Sequence, residues 1–199
     1  MFEADQVRTM LEAAKQPLRT MILLGINCGL GNHDCATLPL SALDLEGGWM
    51  DFPRPKTAIE RRGPLWPETV AALEEAIAAR PEPQDEVHSG LVFMTKYRQP
   101  WFKEDRVDSP ITKETAKVLK ALGIHRKGVG FYALRHTFEA IGGEARDQIA
   151  VDAIMGHARD DMASVYRERI SDERLIAVTN SVHKWLFGDS RSEANQATN

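Results

Sequence analysis

The sequence predicts an α+β fold, mostly helical with a small antiparallel sheet. Three observations carry that expectation. Apolar residues recur at helical spacing in most segments, as Val70, Leu73 and Ile77 do. One stretch, Trp49 to Trp66, departs from this: two short apolar runs flank a tip rich in Pro and Arg, as in a β-hairpin. Glycines and prolines fall at the joints between the segments. A chain of 199 residues suits one domain with a tail. The expected division is a domain over 1–187 and a flexible polar tail over 188–199.

Taken in order, Ala4 to Ala14 reads as an amphipathic helix with Val7, Met10 and Leu11 on one face. Leu18 to Asn27 is apolar enough for a core helix, and Gly29, Gly31 and Asn32 break it. A new segment begins at Ser41 and leads through Leu43 and Leu45 into a strand near Trp49 to Phe52. Pro53 and Pro55 end that strand, and Gly63 to Trp66 returns as its partner, leaving a basic hairpin tip. Pro67 to Arg80 is a helix with Pro67 at its first position, stopped by Pro81 and Pro83. Leu91 to Met94 is a short strand and Lys96 to Pro110 a polar loop. Thr112 to Leu122 is a helix with Thr112 as N-cap and Gly123 after it. Tyr132 to Ile141 is helical up to a Gly142–Gly143 break. Asp147 to Met155 is a helix stopped at Gly156. Helices over Asp160 to Arg167 and Asp172 to Phe187 complete the chain.

Composition excludes several classes. The longest apolar stretch, Met21 to Ile26, is far too short to cross a bilayer. No basic segment followed by an apolar run opens the chain, so no secretory signal is visible. Two cysteines, Cys28 and Cys35, make no disulfide framework, and a reducing cytoplasm is expected. Cys28, His33 and Cys35 at irregular spacing fall short of a four-ligand zinc site. The cysteines read as small core residues, and neither metal nor cofactor is expected. Net charge is −4, but the distribution is uneven. Lys96 to Arg135 holds ten basic and four acidic residues, and Arg54 to Arg62 four basic and one acidic. Local basic stretches of this kind fit phosphate contacts on an otherwise acidic protein, and also fit solvated helix faces.

The chemistry concentrates in Tyr132-Ala-Leu-Arg135-His136, then Met155-Gly-His157, then Tyr166, nine residues after His157. This ordered set resembles the C-terminal signature of the tyrosine recombinases, the phage integrase family. There an H-x-x-R element precedes a G-H dipeptide, and the nucleophilic tyrosine follows that histidine by nine residues. Upstream, Pro55-Lys56-Thr57, Arg61-Arg62 and Pro64-Leu65 resemble the family's K-T…R-x-x-P-L hairpin. Cys28-Gly-Leu-Gly31-Asn-His-Asp34 occupies its T-G-L-R-x-x-E-L box. The resemblance covers the chain to about Phe187.

What the resemblance implies is a site-specific DNA strand-exchange enzyme acting on double-stranded DNA without metal or nucleotide. Tyr166 would be the nucleophile and form a 3′-phosphotyrosyl link. Arg135 would clamp the non-bridging oxygens, because a guanidinium fork matches phosphate geometry. His157 would donate to the same phosphate, and Lys56 would protonate the leaving 5′ oxygen. His136 is expected to pack beside Arg135 as a structural residue. Assembly as a homo-oligomer, a tetramer on DNA, is implied, and Trp185 and Phe187 near the end read either as a core patch or as a docking face. The family's N-terminal clamp domain has no room before a helix starting near Ala4, which suggests an excised catalytic domain or a short relative.

Two positions depart from the pattern. Tyr132 stands where the H-x-x-R histidine belongs, a mild change because a phenol also donates and accepts. Gly31 stands where the first-box arginine belongs. Losing one preorganised oxyanion stabiliser costs roughly 10²–10³ in rate, unless Asn32, His33 or another arginine fills the space. The alternative is therefore a degenerate recombinase that binds DNA with little or no cleavage. A helix-turn-helix regulator is a third reading, but it gives no reason for the nine-residue spacing.

Overall fold

Helix α2 (Leu18–Asn27) lies at the centre of the fold, and nine of its ten residues are buried. A helix apolar on every side has no face for water and must be surrounded. In the computed structural model, which describes residues 1–102, 109–157 and 170–188, four helices form most of its surroundings. They are α1 (Ala4–Ala13), α4 (Pro67–Ala78), α6 (Ala133–Gly143) and α8 (Asp172–Phe187). Met21, Ile22, Leu24 and Ile26 are fully enclosed. Each such side chain contributes about 1.5–3 kcal/mol by leaving water.

The sheet is clipped to the end of α2. Asn27 is buried, its Nδ2 donates to Pro64 O at 2.9 Å, and its Oδ1 accepts from Trp66 N–H at 2.8 Å. These bonds anchor the far strand of a three-stranded antiparallel sheet, β1 (Leu43–Asp44), β2 (Trp49–Asp51) and β3 (Arg62–Pro64), in that order. Met50 is the central rung, paired with Leu43 on one side and Gly63 on the other. The expected hairpin is present, and the segment begun at Ser41 adds the third strand.

Several elements differ from the sequence reading, each for a local reason. The Gly29–Asn32 break is followed at once by a short helix, α3 (Asn32–Thr37). Gly31 is its N-cap, and Asp34 accepts the Gly31 N–H at 2.9 Å, half of a capping box. Leu91 to Met94 makes isolated bridges to Pro39 and Pro100 rather than a strand. Its Val92, Phe93 and Met94 are buried, so the run is a core insertion without a ladder. Helix α5 (Pro110–Ala121) begins at Pro110, a residue suited to the first helical turn. Thr112 is not its cap; its hydroxyl accepts from Asn32 Nδ2 at 2.8 Å. Helix α6 takes in Gly142 and Gly143 as its last two residues and ends there, so the expected break falls at the glycine pair. A Cβ on Gly142 would sit 3.2 Å from Val178 of α8, so the glycine permits close helix packing.

Helix α7 (Gln148–Met155) is capped by Asp147, which accepts from Ala150 N–H at 3.1 Å. It closes on Gly156 in the left-handed conformation, φ 65°. Helix α8 spans the residues the sequence predicts. The helix expected over residues 160–167 and the tail beyond Gly188 lie outside the described residues. Among the described residues, no helix is long and apolar enough to cross a membrane.

Candidate active site

Arg135 is the residue on which the site is built. It faces inward from α6 and is 1% exposed. Its Nη1 donates to Gly29 O at 2.6 Å and its Nη2 to Met155 O at 2.9 Å. One guanidinium therefore joins the first box to the end of α7, immediately before Gly156 and His157. Burial pushes its proton affinity below the ordinary arginine value, and the Arg54 cation pushes it further the same way. Tyr132 and Asp34 act in the opposite direction.

His157 begins where Gly156 turns the chain. Its N–H donates to Asp152 O at 2.9 Å, and its ring Nδ1 lies 3.4 Å from Asp152 Oδ1. The side chain is partly open to solvent, with Nδ1 beside the carboxylate and Nε2 without a partner among the described residues.

Lys56 is exposed at the hairpin tip. The tip is built on Arg54, whose N–H donates to Ile59 O at 2.8 Å and whose carbonyl accepts from Thr57 and Ala58. The Arg54 side chain leans over Gly156: a Cβ there would lie 3.1 Å from Arg54 Cβ and 3.5 Å from its Cδ. The loop of Lys56 is thus rooted next to His157, on a residue whose charge is felt by Arg135.

Tyr132 immediately precedes α6 and is 45% exposed, its ring edge-on to His136 at 5.1 Å. His136 itself is not packed beside Arg135 as expected. Its ring is largely exposed, between Tyr132 and the Glu139 carboxylate, 3.9 Å away. The two departures from the family pattern touch: a Cβ on Gly31 would lie 3.3 Å from Tyr132 Cε2. Neither neighbour fills the place of the missing arginine. Asn32 reaches toward α5, and His33 lies edge-on to Phe102 at 6.2 Å. Tyr166, the expected nucleophile, lies outside the described residues.

Three residues that were assigned no role in the sequence reading belong to this cluster: Arg54, Arg61 and Asp34. Arg61 is completely buried. Its Nε donates to Phe52 O at 2.9 Å and its Nη1 to Asp34 Oδ2 at 3.1 Å, while Nη2 is enclosed with no partner among the described residues. The same Asp34 oxygen accepts the Gly31 N–H. The sequence signals were Arg61 in the hairpin motif, Asp34 at the acidic position of the first box and, for Arg54, only the charge density of the hairpin. The adjacent Arg62 does different work. It stacks on Trp49 at 3.8 Å and pairs with Asp172, tying the sheet to the start of α8. A pocket of about 470 Å³ beside it has Asp51 and Glu60 in its wall as well as Arg61 and Arg62, a balance that does not draw a phosphate.

Cys28 and Cys35 are separate buried thiols directed at the Pro64 and Met21 carbonyls. Burial pushes Cys28 up to about 12 against the opposing pull of Arg61, and raises Cys35 as well. Phe187 packs against Trp66 and His183, and Trp185 is half-buried against the core.

The sequence profile of the phage integrase family matches residues 1–174. No curated protein matches the chain. Solved structures similar to it include the XerA recombinase, with 20% identity and a TM-score of 0.64 over 90% of this chain and 63% of that one. The integrase of mycobacterium phage Brujita has 20% identity and a TM-score of 0.66, over 90% and 56%. Lambda integrase (75–356), a dimer bound to a COC′ core site, has 16% identity and a TM-score of 0.61, over 86% and 61%. The chain spans about three fifths of the length of these proteins. At such identities the likeness is one of fold: a helical domain with a small antiparallel sheet, as in the recombinase catalytic domains.

Proposed function

The chain belongs to the phage integrase family, and from that membership we propose that it cuts and rejoins double-stranded DNA through Tyr166. The observation that carries the proposal is the placement of Arg135. Its two hydrogen bonds bring the first box, the end of α7 and the histidine after it to one buried positive charge.

In this reading the Tyr166 phenolate attacks a backbone phosphorus, forming the 3′-phosphotyrosyl bond as the bond to the 5′ oxygen breaks. Arg135 stabilises the added negative charge. Its guanidinium is already fixed by two carbonyls, so no reorganisation is needed as charge develops. His157, held at Nδ1 by Asp152, donates from Nε2 to the same phosphate. Lys56 delivers a proton to the departing 5′ oxygen. Tyr132 stands at the rim with its hydroxyl as a further polar contact. A second 5′ hydroxyl then reverses the chemistry, conserving the bond energy, and paired reactions require a homo-oligomer on the DNA.

The alternative, a domain that holds DNA and scarcely cuts it, is favoured by Gly31. One experiment divides the two. The protein is incubated with nicked duplexes carrying a randomised core, and covalent protein–DNA adducts are captured after denaturation. The proposal expects adducts with the wild type and none with Tyr166→Phe. DNA retention with no adduct from any sequence in the pool would establish the alternative.

A further inference from the structure

We propose that Arg54 is the second phosphate-clamping guanidinium of this site, supplied by the hairpin in place of the arginine absent at position 31. This rests on the phosphate-cleaving reading above and assigns a residue to it that the family pattern does not.

Position comes first. The Arg54 side chain runs over Gly156, close enough that a Cβ there would contact its Cβ and Cδ. Gly156 immediately precedes His157, so Arg54 lies beside the expected phosphate donor. It also lies two residues before Lys56 and supports the Lys56 turn through its own carbonyl. A guanidinium in this place joins Lys56, His157 and Arg135 without any contribution from residue 31.

Charge balance is the second observation. Arg54, Arg61 and Arg135 are neighbours, and Arg54 is the strongest charge acting on Arg135. Asp34 is the carboxylate found with them, and it is taken by Arg61 and the Gly31 N–H. Arg135 is bonded to two neutral carbonyls. Arg54 makes no ion pair among the described residues, and one nitrogen of Arg61 is enclosed without an acceptor. Among the described residues, these three guanidinium groups share the Asp34 carboxylate alone, and they repel one another in the free protein. An anion bound among them relieves that repulsion, and a phosphate offers oxygens to more than one fork at once.

Third, the alternatives are occupied. Arg61 is enclosed and its Nη1 and Nε are engaged, so it holds Asp34 and the Phe52 carbonyl in place. Asn32 and His33 point elsewhere. Arg54 is half-buried, with its Cβ and Cδ lying over Gly156, so it is not sealed in the core as Arg61 is.

The test compares wild type, Arg54→Ala, Arg54→Lys, the double variant Arg54→Ala/Gly31→Arg, and Arg19→Ala as a control for lost charge at an exposed site. Adduct formation is timed on the core sequence recovered from the random pool. Arg54→Ala is expected to lower the rate by roughly 10²–10³, Arg54→Lys by less, and Arg19→Ala not at all. Adding Gly31→Arg is expected to restore part of the loss, because the extended backbone of Gly31 accepts a side chain once the solvent-exposed Tyr132 ring, 3.3 Å from such a Cβ, swings aside. Circular dichroism and the melting temperature show that each variant is folded. A wild-type rate in folded Arg54→Ala overturns the proposal while leaving the cleavage reading intact. If the wild type forms no adduct, the cleavage reading fails, and inorganic phosphate decides the matter for Arg54. Saturable phosphate-dependent shifts of the arginine side-chain resonances, lost in Arg54→Ala, support it. The same shifts retained in Arg54→Ala overturn it.

Discussion

Asp34→Ala is expected to destabilise the protein severely although Asp34 takes no part in the proposed chemistry. The Asp34 side chain is 10% exposed, and Arg61, its partner, is not exposed at all. Removing one member of a buried pair leaves the other charge stranded, at a cost of about 3–5 kcal/mol. The same carboxylate oxygen satisfies the N-cap N–H of α3, and losing a cap contributes about another 1 kcal/mol. Together these approach the whole stability of an ordinary domain, about 5–15 kcal/mol. With a urea slope of about 1–3 kcal/mol per molar, the unfolding midpoint should fall by roughly 2 M, read by tryptophan fluorescence and circular dichroism. Asp34→Asn keeps an oxygen for the Gly31 N–H and removes the charge, so it should show most of the loss. Arg61→Met strands the Asp34 carboxylate in turn, at a similar cost of about 3–5 kcal/mol, and forfeits the bond to Phe52 O, about 1 kcal/mol. The double variant Asp34→Ala/Arg61→Met has no stranded charge and should be far more stable than Asp34→Ala. An unchanged midpoint in Asp34→Ala, or a double variant as unstable as the sum of the two, would refute the reasoning.

Other perturbations have clear directions. Asn27→Leu strands the Pro64 carbonyl and the Trp66 N–H in the core at about 1–3 kcal/mol each; hydrogen exchange at Trp66 should accelerate before global unfolding. Gly156→Ala places a Cβ at φ 65° and 3.1 Å from Arg54 Cβ; about 1–2 kcal/mol of stability and much of the adduct-forming activity should be lost. The hydrogen bonds from Arg174 hold the Asp147 carboxyl below its usual value of 3.8, so its contribution is present above that pH and disappears as pH falls through the lowered value. Asp147→Asn should therefore cost up to about 1 kcal/mol at neutral pH, with the gap to wild type closing in strong acid in pH-resolved urea titrations. Neither Cys28 nor Cys35 should react with an aromatic disulfide reagent until denaturant exposes it, since burial holds both as thiols.

Sequence reasoning succeeded where one-dimensional signals act alone. Helix α2 is legible because it is apolar on all sides, and α8 because Ser171 and Gly188 bracket it. It failed where tertiary packing decides. Leu91 to Met94 reads as a strand until its surroundings are seen to offer no ladder. Helix α3 was missed because Gly31 and Asn32 are turn residues that also cap helices, and Asp34 three residues on was the available clue. At the site, the motifs contained Arg135, His157, Arg61 and Asp34 but assigned the last two no partner, and they gave no reason to single out Arg54. Their roles depend on the hairpin folding back on α7, a relation between residues about a hundred positions apart.

The contact between Gly31 and Tyr132 bears on the history of the lineage. A side chain at position 31 would bring its Cβ within 3.3 Å of the Tyr132 ring, so the two positions are coupled sterically. A tyrosine ring arriving first would press on the stem of residue 31, while glycine arriving first would open room that the ring later covers. The pair is therefore one evolutionary character. Relatives of this chain are expected to carry glycine with tyrosine or arginine with histidine, and mixed pairs should be rare.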